Sequence, residues 1–299
     1  MLKIEGILLI CLLLLGINDL SKMKFILEFF VLITGLGAAS GLSYKDDKLY
    51  IVSDNSNYLY EYHIPSHKLD KHLLLDMDGQ NEQVQKKDKL DIEAIAMHQE
   101  GIYLLFSSGS KPNRSLVFDV NPDDLSYIGK NENKETYGNL REHLHIGEDD
   151  FNIEGAVFYD NGLLLFNRGN GPNEMNGIIK LVEKDGKTIP TFIPIKLPEI
   201  NGQTAGFTDA TLVEDKIYFL AAAEGGNSSY EDGKVSGSQI GIINAGDLTL
   251  EKTETISDKH KFEGITLYHS TAEEHIFLLC DDPDNDVHES TIYQLKVKR

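Results

Sequence analysis

Four carboxylates, each followed at once by Ala or Gly, open short apolar stretches along this chain: Glu93-Ala94, Glu154-Gly155, Asp209-Ala210 and Glu263-Gly264. Ser40-Gly41 repeats the pattern with a hydroxyl in place of the acid. If these positions converge, four carboxylates share one confined space, where they cannot all stay ionised without a counter-charge. Two readings stand side by side. In the first, a hard divalent cation, calcium above all, is coordinated by Glu93, Glu154, Asp209 and Glu263, with Asp281 as a further ligand, because such cations take oxygen donors. In the second, Arg168 supplies the counter-charge and the ring is a structural network.

The spacing says what must position them. The markers fall at 40, 93, 154, 209 and 263, separations of 53, 61, 55 and 54 residues, and a repeat of that size is the mark of propeller blades, one four-stranded sheet per repeat. Each marker is followed by the same layout. A first strand (IEAIAMH, IEGAVFY, FTDATLV, FEGITLY, and ASGLSY for the hydroxyl copy) meets a short polar turn such as Asp46-Asp47 or Asp160-Asn161-Gly162. A near-continuous apolar strand follows (LYIVSD, IYLLFSS, LLLFNR, IYFLAA, IFLLCD), then an alternating one (YLYEYHI, SLVFDV, GIIKLV, QIGIIN, TIYQLKV). The fourth strand is weaker, read in HLLLD, LSYIG, TFIPIKL and LEKTETI.

The last repeat ends after its third strand at Arg299, while FILEFFVL, Phe25 to Leu32, precedes the first marker. Using that stretch as the missing fourth strand closes the ring and removes two unpaired sheet edges. The expected fold is therefore all-β, a five-bladed propeller closed by an N-terminal strand, forming one domain over residues 23–299. The Ala or Gly after each acid fits inner strands that converge on the axis, where a side chain must be small.

The beginning of a blade's first strand and the end of its second share one rim. Asp54, Arg168 and Asp281 therefore surround the same opening as the acidic markers. The loops on this rim are long and rich in Gly and Asn (SSGSKPNR, NRGNGPNEMNG, AAEGGNSSYEDGKVSGS, DDPDNDVHES), the usual carriers of binding residues. Asp54, Ser108, Lys111, Arg114, Arg168 and Glu224 are the candidate ligand-binding residues. Asp282-x-Asp284-x-Asp286 begins like a calcium loop, but Val287 stands where the sixth-position Gly is needed, so an acidic solvated loop is expected. His143 and His145 have the spacing of two ligands on one strand face but lie in a charged linker between blades.

Composition narrows the partners. The formal net charge is −20, from 48 acidic and 28 basic residues, which repels nucleic-acid backbones and anionic headgroups and favours cations and neutral or cationic ligands. Residues 1–22 read as a targeting segment: Lys3, then an apolar run from Ile7 to Leu15, short for a membrane span. A periplasmic or secreted location follows, with no membrane contact beyond that segment. Of the two cysteines, Cys11 sits in the segment and Cys280 reads as a small core residue, so no disulfide framework exists.

The stretches AASGLSYKDDKLYIVSDNSNYLYEY, FSSGSKPNR, NIEGAVFYDNGLLLFNR, SYEDGKVSGSQIGIIN and FEGITLY resemble a family of bacterial, mostly exported β-propellers of unknown function, over residues 24–299. More distantly, the Ser-Gly-Leu and Phe-Glu-Gly openings are similar to those of SdiA-regulated propellers and of the esterase-like phytase propellers. The resemblance implies a propeller with a calcium site and supplies no substrate. Gluconolactonase-type propellers also carry a Glu-Gly opening whose Glu binds a divalent metal, a part that Glu154 or Glu263 could take, although the Pro that usually follows is absent here.

Two functions are compatible with these residues. One is a metal-dependent hydrolase of an ester, lactone or phosphoester, with Arg168, Lys111 or Arg114 stabilising developing charge. The other is a non-catalytic propeller that binds a small molecule, glycan, peptide or protein. A deep cavity would favour the first, a flat filled mouth the second.

Overall fold

A computed structural model describes residues 22–98, 101–132, 134–225, 234–282 and 287–299. The targeting segment up to residue 21 with Cys11, the SSYEDG part of the long fourth-blade loop, and Asp284 and Asp286 lie outside the described residues.

Five four-stranded antiparallel sheets follow one another around an axis. The closing strand β1 spans Phe25–Thr34. The first blade comprises β2 (Ala39–Lys45), β3 (Lys48–Ser53), β4 (Tyr58–His63) and β5 (Lys68–Leu73). The second comprises β6 (Ile92–Met97), β7 (Tyr103–Ser107), β8 (Leu116–Asn121) and β9 (Asp124–Glu132). The third has β10 (Ile153–Tyr159), β11 (Gly162–Asn167), β12 (Gly177–Lys184) and β13 (Lys187–Pro194). The fourth has β14 (Ala205–Val213), β15 (Lys216–Gly225), β16 (Lys234–Asn244) and β17 (Leu250–Ser257).

The fifth blade is β18 (Phe262–Ser270), β19 (Glu274–Asp281), β20 (Glu289–Lys298) and then β1, which pairs with β20 from Phe25↔Val297 to Thr34↔Glu289. The ring is thus closed by the N-terminal strand.

The core is divided among the blade junctions. Five apolar clusters each join two neighbouring sheets, for instance Phe166, Phe207 and Phe219 between the third and fourth blades, where the rings meet edge to face at 5.0–5.2 Å. Cys280, fully buried, packs with Leu42, Ile51 and Ile292 at the junction between the last blade and the first. On the rim away from the carboxylates, Asp46-Asp47 and Asp160-Asn161 all have positive φ, from 46° to 62°. These are the two-residue hairpin turns that Asp and Asn tolerate and that match the strand twist.

One element departs from the expectation of a linker before the third blade. Helix α1 (Lys134–Leu144) lies there, with His143 in its last turn and His145 just beyond, so the two histidines share no strand face. Tyr137, Leu140 and Leu144, a helical stripe, pack against the second and third blades, and the Tyr137 hydroxyl donates to the Ser107 carbonyl at 3.1 Å.

Candidate ligand site at the channel mouth

Each inner strand carries a β-bulge near its start, after the first ladder pair in four blades and after the third in β14. In β6 the ladder jumps from Ile92↔Ser107 to Ala94↔Phe106, leaving Glu93 unpaired. The same jump isolates Ser40 in β2, Glu154 in β10 and Glu263 in β18. In β14 it isolates Thr208, because Phe207 pairs with Ala221 and Asp209 with Leu220. The fourth copy of the repeat is therefore offset by one residue from the sequence alignment. Thr208 is the structural equivalent of the glutamates, and Asp209 occupies the position that Gly or Ala holds in the other blades. A bulge re-aims one side chain at a sheet's end, and here it does so five times around one axis.

The two hydroxyls and the three glutamates behave differently. Ser40 Oγ donates to the Ile92 carbonyl at 2.6 Å and Thr208 Oγ1 to the Phe262 carbonyl at 2.7 Å, each stitching its blade to the next. Glu93, Glu154 and Glu263 line a cavity of about 450 Å³ at the mouth. The small residues behind them face the next inner strand: a Cβ on Gly41 would lie 2.7 Å from the Glu93 carbonyl, and one on Gly155 3.1 Å from Asp209 Cα. Asp209 fits its small slot by turning its carboxylate onto backbone N–H groups, of Ala210 at 2.7 Å and of Ile265 at 2.8 Å.

Charge in the mouth is arranged in two groups. In the first, Arg168 lies 3.4 Å from Glu154, 3.3 Å from Glu224 and 3.8 Å from Glu263, and Lys261 lies 2.9 Å from Glu224 and 3.1 Å from Glu263. Asn152 Nδ2 also donates to Glu154 at 2.6 Å. In the second, Lys89 meets Asp54 at 2.5 Å, while Arg114 and Ser108 Oγ both donate to Oδ2 of Asp91, at 2.8 and 2.5 Å. Asp91 has a left-handed backbone (φ 57°). Glu93 stands beside this second group, 8% exposed, with neither hydrogen bond nor ion pair among the described residues.

Protonation follows from that layout. Burial, reinforced by Glu154, Asp91 and Asp54, pushes Glu93 well above the usual carboxylate range. Burial also raises Glu154, to about 8, against the pull of Arg168. Asp209 is pushed well up by burial in spite of its two backbone donors. Glu224 is held below its ordinary value: burial opposes this, but Arg168 and Lys261 outweigh it. The same carboxylates raise Arg168 although burial disfavours its charge.

Among the residues expected from the sequence, Asp54, Glu93, Lys111, Arg114, Glu154, Arg168, Glu224 and Glu263 line the cavity. Ser108 stands behind Asp91, and Lys111 reaches outward to Asp149 at 3.5 Å. Asp281 accepts from the Lys261 N–H at 3.1 Å and pairs with His260 Nδ1 at 2.6 Å, outside the cavity lining. Lys89, Asp91, Asn152 and Lys261 are absent from the sequence expectation. Asp91, Asn152 and Lys261 each stand two residues before a bulged Glu, so the twofold strand period brings them beside it. That offset was readable in D-I-E, N-I-E and K-F-E.

The model of a protein family described as "Family of unknown function (DUF6929)" matches residues 35–297. No curated protein matches the chain. Among solved structures, a luciferin-regenerating enzyme superposes with a TM-score of 0.51 at 9% identity, over 91% of this chain and 95% of that one. A putative gluconolactonase gives 0.43 at 11% identity, over 84% and 71%. A putative exported protein of Bacteroides fragilis gives 0.43 at 8%, over 93% and 95%. At such identities the likeness concerns the fold alone.

Proposed function

Because the chain belongs to this family of unknown function (DUF6929), its activity has to be read from its own site, and we propose that it is an exported propeller that binds a small polar molecule at the channel mouth. Hydrolysis of an ester, lactone or phosphoester is the reaction for which the mouth is best equipped. The observation that carries this reading is the cavity of about 450 Å³, within the size of small-molecule sites and lined among the described residues by ten carboxylate and six cationic side chains. A flat, filled mouth would instead have favoured a protein-binding scaffold.

Arg168 is the residue best placed to act on a ligand. Three carboxylates hold its guanidinium, so it is fixed before any ligand arrives, and a fixed cation at the wall stabilises negative charge that develops on a bound oxygen. Glu154 is the neighbouring proton carrier, and Lys111 and Arg114 supply further positive charge. A divalent cation bound at this mouth would polarise a substrate oxygen and make its bound water acidic. Among the described residues Phe151 is the single large aromatic side chain in the lining, which fits a hydrophilic rather than an aromatic ligand. Export rests on Lys3 and the Ile7–Leu15 run, and the mass of the mature protein recovered from its native host tests it.

The test of the main reading is a panel of esters, lactones and phosphoesters, together with polar metabolites scored by thermal shift. At least one compound should turn over or raise the melting temperature in the wild type, and Arg168→Met should abolish that response. A panel in which no compound shifts or reacts, or in which Arg168→Met responds like the wild type, removes this reading.

A further inference from the structure

The cavity is lined by ten acidic and six basic side chains, an excess of four acidic groups. The excess is not spread evenly. Glu154, Glu224 and Glu263 already have Arg168 and Lys261 among them. The opposite wall, between the first and second blades, carries Asp54, Asp91 and Glu93, each offering an oxygen within 4.8 Å of the others.

Two features separate this trio from an ordinary acidic cluster. Glu93 is more than nine-tenths buried, lines the cavity, and has no hydrogen-bond or ion-pair partner among the described residues. An ionised carboxylate buried in that condition is costly, so Glu93 either holds a proton or meets a cation. Asp54 meets Lys89 through Oδ2, and its Oδ1 is buried with no hydrogen-bond partner among the described residues. Arg114 and Ser108 likewise both donate to Oδ2 of Asp91. The basic side chains thus occupy one side of this wall and leave carboxylate oxygens turned to a common space.

We propose that Asp54, Asp91 and Glu93 form a binding site for one hard divalent cation, calcium in size, on the wall between the first and second blades. Oxygens within 4.8 Å of one another are close enough to converge on one ion with metal–oxygen distances of about 2.3–2.6 Å. An all-oxygen donor set of carboxylates disfavours soft metals. Three protein ligands are fewer than calcium takes, so the remaining positions face the cavity, where water or an anionic or carbonyl oxygen of a ligand completes the shell. This deepens the small-ligand reading of the same mouth by giving the ligand class: molecules that present a carboxylate, phosphoryl or lactone oxygen to a cation. The site differs from the ring of Glu93, Glu154, Asp209 and Glu263 expected from the sequence, sharing Glu93 with it.

The test is calorimetric titration of the chelator-treated, dialysed full chain with calcium chloride, repeated with manganese chloride and read by electron paramagnetic resonance. The wild type should bind one ion, and Glu93→Gln should weaken binding at least about 10-fold, since it removes a charged ligand while keeping its shape. Asp54→Asn, at a partly exposed position, should do the same and stands in if Glu93→Gln does not fold. Glu154→Gln should change affinity less than about 3-fold, because Glu154 belongs to the Arg168 group. No binding by the wild type up to about 10 mM ion, roughly 10-fold above the weak end of protein calcium sites, overturns the proposal. So does unchanged affinity in both Glu93→Gln and Asp54→Asn, or a loss confined to Glu154→Gln. The titration needs no substrate: a chain that binds calcium but no compound keeps this site and loses the small-ligand reading, and the reverse result separates them the other way.

Discussion

Thr208 Oγ1 donates a 2.7 Å hydrogen bond to the carbonyl of Phe262 in the next blade, from the bulge position where three other blades place glutamates. Ser40 makes the equivalent bond to Ile92. Both hydroxyls are buried. Thr208→Val keeps the shape, removes the donor and strands a buried carbonyl, which costs about 1–3 kcal/mol. Thr208→Ser preserves the donor and should cost clearly less. Denaturant unfolding of the two variants checks this; equal losses would mean that the methyl group, and not the bond, holds the junction.

Arg168 is nearly buried among Glu154, Glu224 and Glu263. Replacing it with Met leaves Glu224 and Glu263 with Lys261 and Glu154 with Asn152, and should destabilise by about 3 kcal/mol, the usual cost of removing one partner from a buried ionic group. Adding Glu154→Gln to Arg168→Met should recover part of that loss, because the charge it removes is one the Arg no longer compensates. Additive losses in the double variant would show that the two residues do not interact energetically.

The closing strand makes a third prediction. Phe25 and Leu27 pack into the junction with the fourth blade, and Phe30, Val31 and Ile33 into the junction with the first. Deleting residues 1–22 leaves these contacts intact and should leave the melting temperature unchanged. Deleting residues 1–34 removes them and exposes the edge of β20, and should abolish cooperative unfolding or cause aggregation. A sharp, unshifted transition in the longer deletion would sink the idea that β1 supports the ring.

How far the sequence could be read follows from which interactions are local. The blade count, the closing strand and the mouth all follow from period-two strands, a repeat of 53–61 residues and one unpaired apolar segment. Asp209 is the instructive case: D-A matches E-G as letters, but the bulge falls one residue earlier, on Thr208, and only the ladder register distinguishes them. Helix α1 is hidden because Gly138 and a charged surround mask the Tyr137, Leu140, Leu144 stripe. Lys89 approaches Asp54 from 35 positions away in the chain, a pairing no local pattern records.

The last prediction concerns pH. Glu154 ionises at about 8 in the folded chain, against 4.5 ordinarily, because burial disfavours its charge more than Arg168 restores it. A group whose pKa is raised on folding binds its proton more tightly in the native state, so its contribution to stability is complete below about 4.5 and is lost as pH climbs through 8. Glu93 and Asp209, raised for the same reason, act in the same direction. With chelator present, the free energy of unfolding should therefore fall between pH 5 and pH 9, opposite in slope to a protein dominated by salt-bridged carboxylates. Glu154→Gln, which is neutral throughout, should flatten that fall. A stability profile that rises across this interval, or one in which Glu154→Gln leaves the slope unchanged, would show that Glu154 is already ionised at neutral pH and that Arg168 has won over burial.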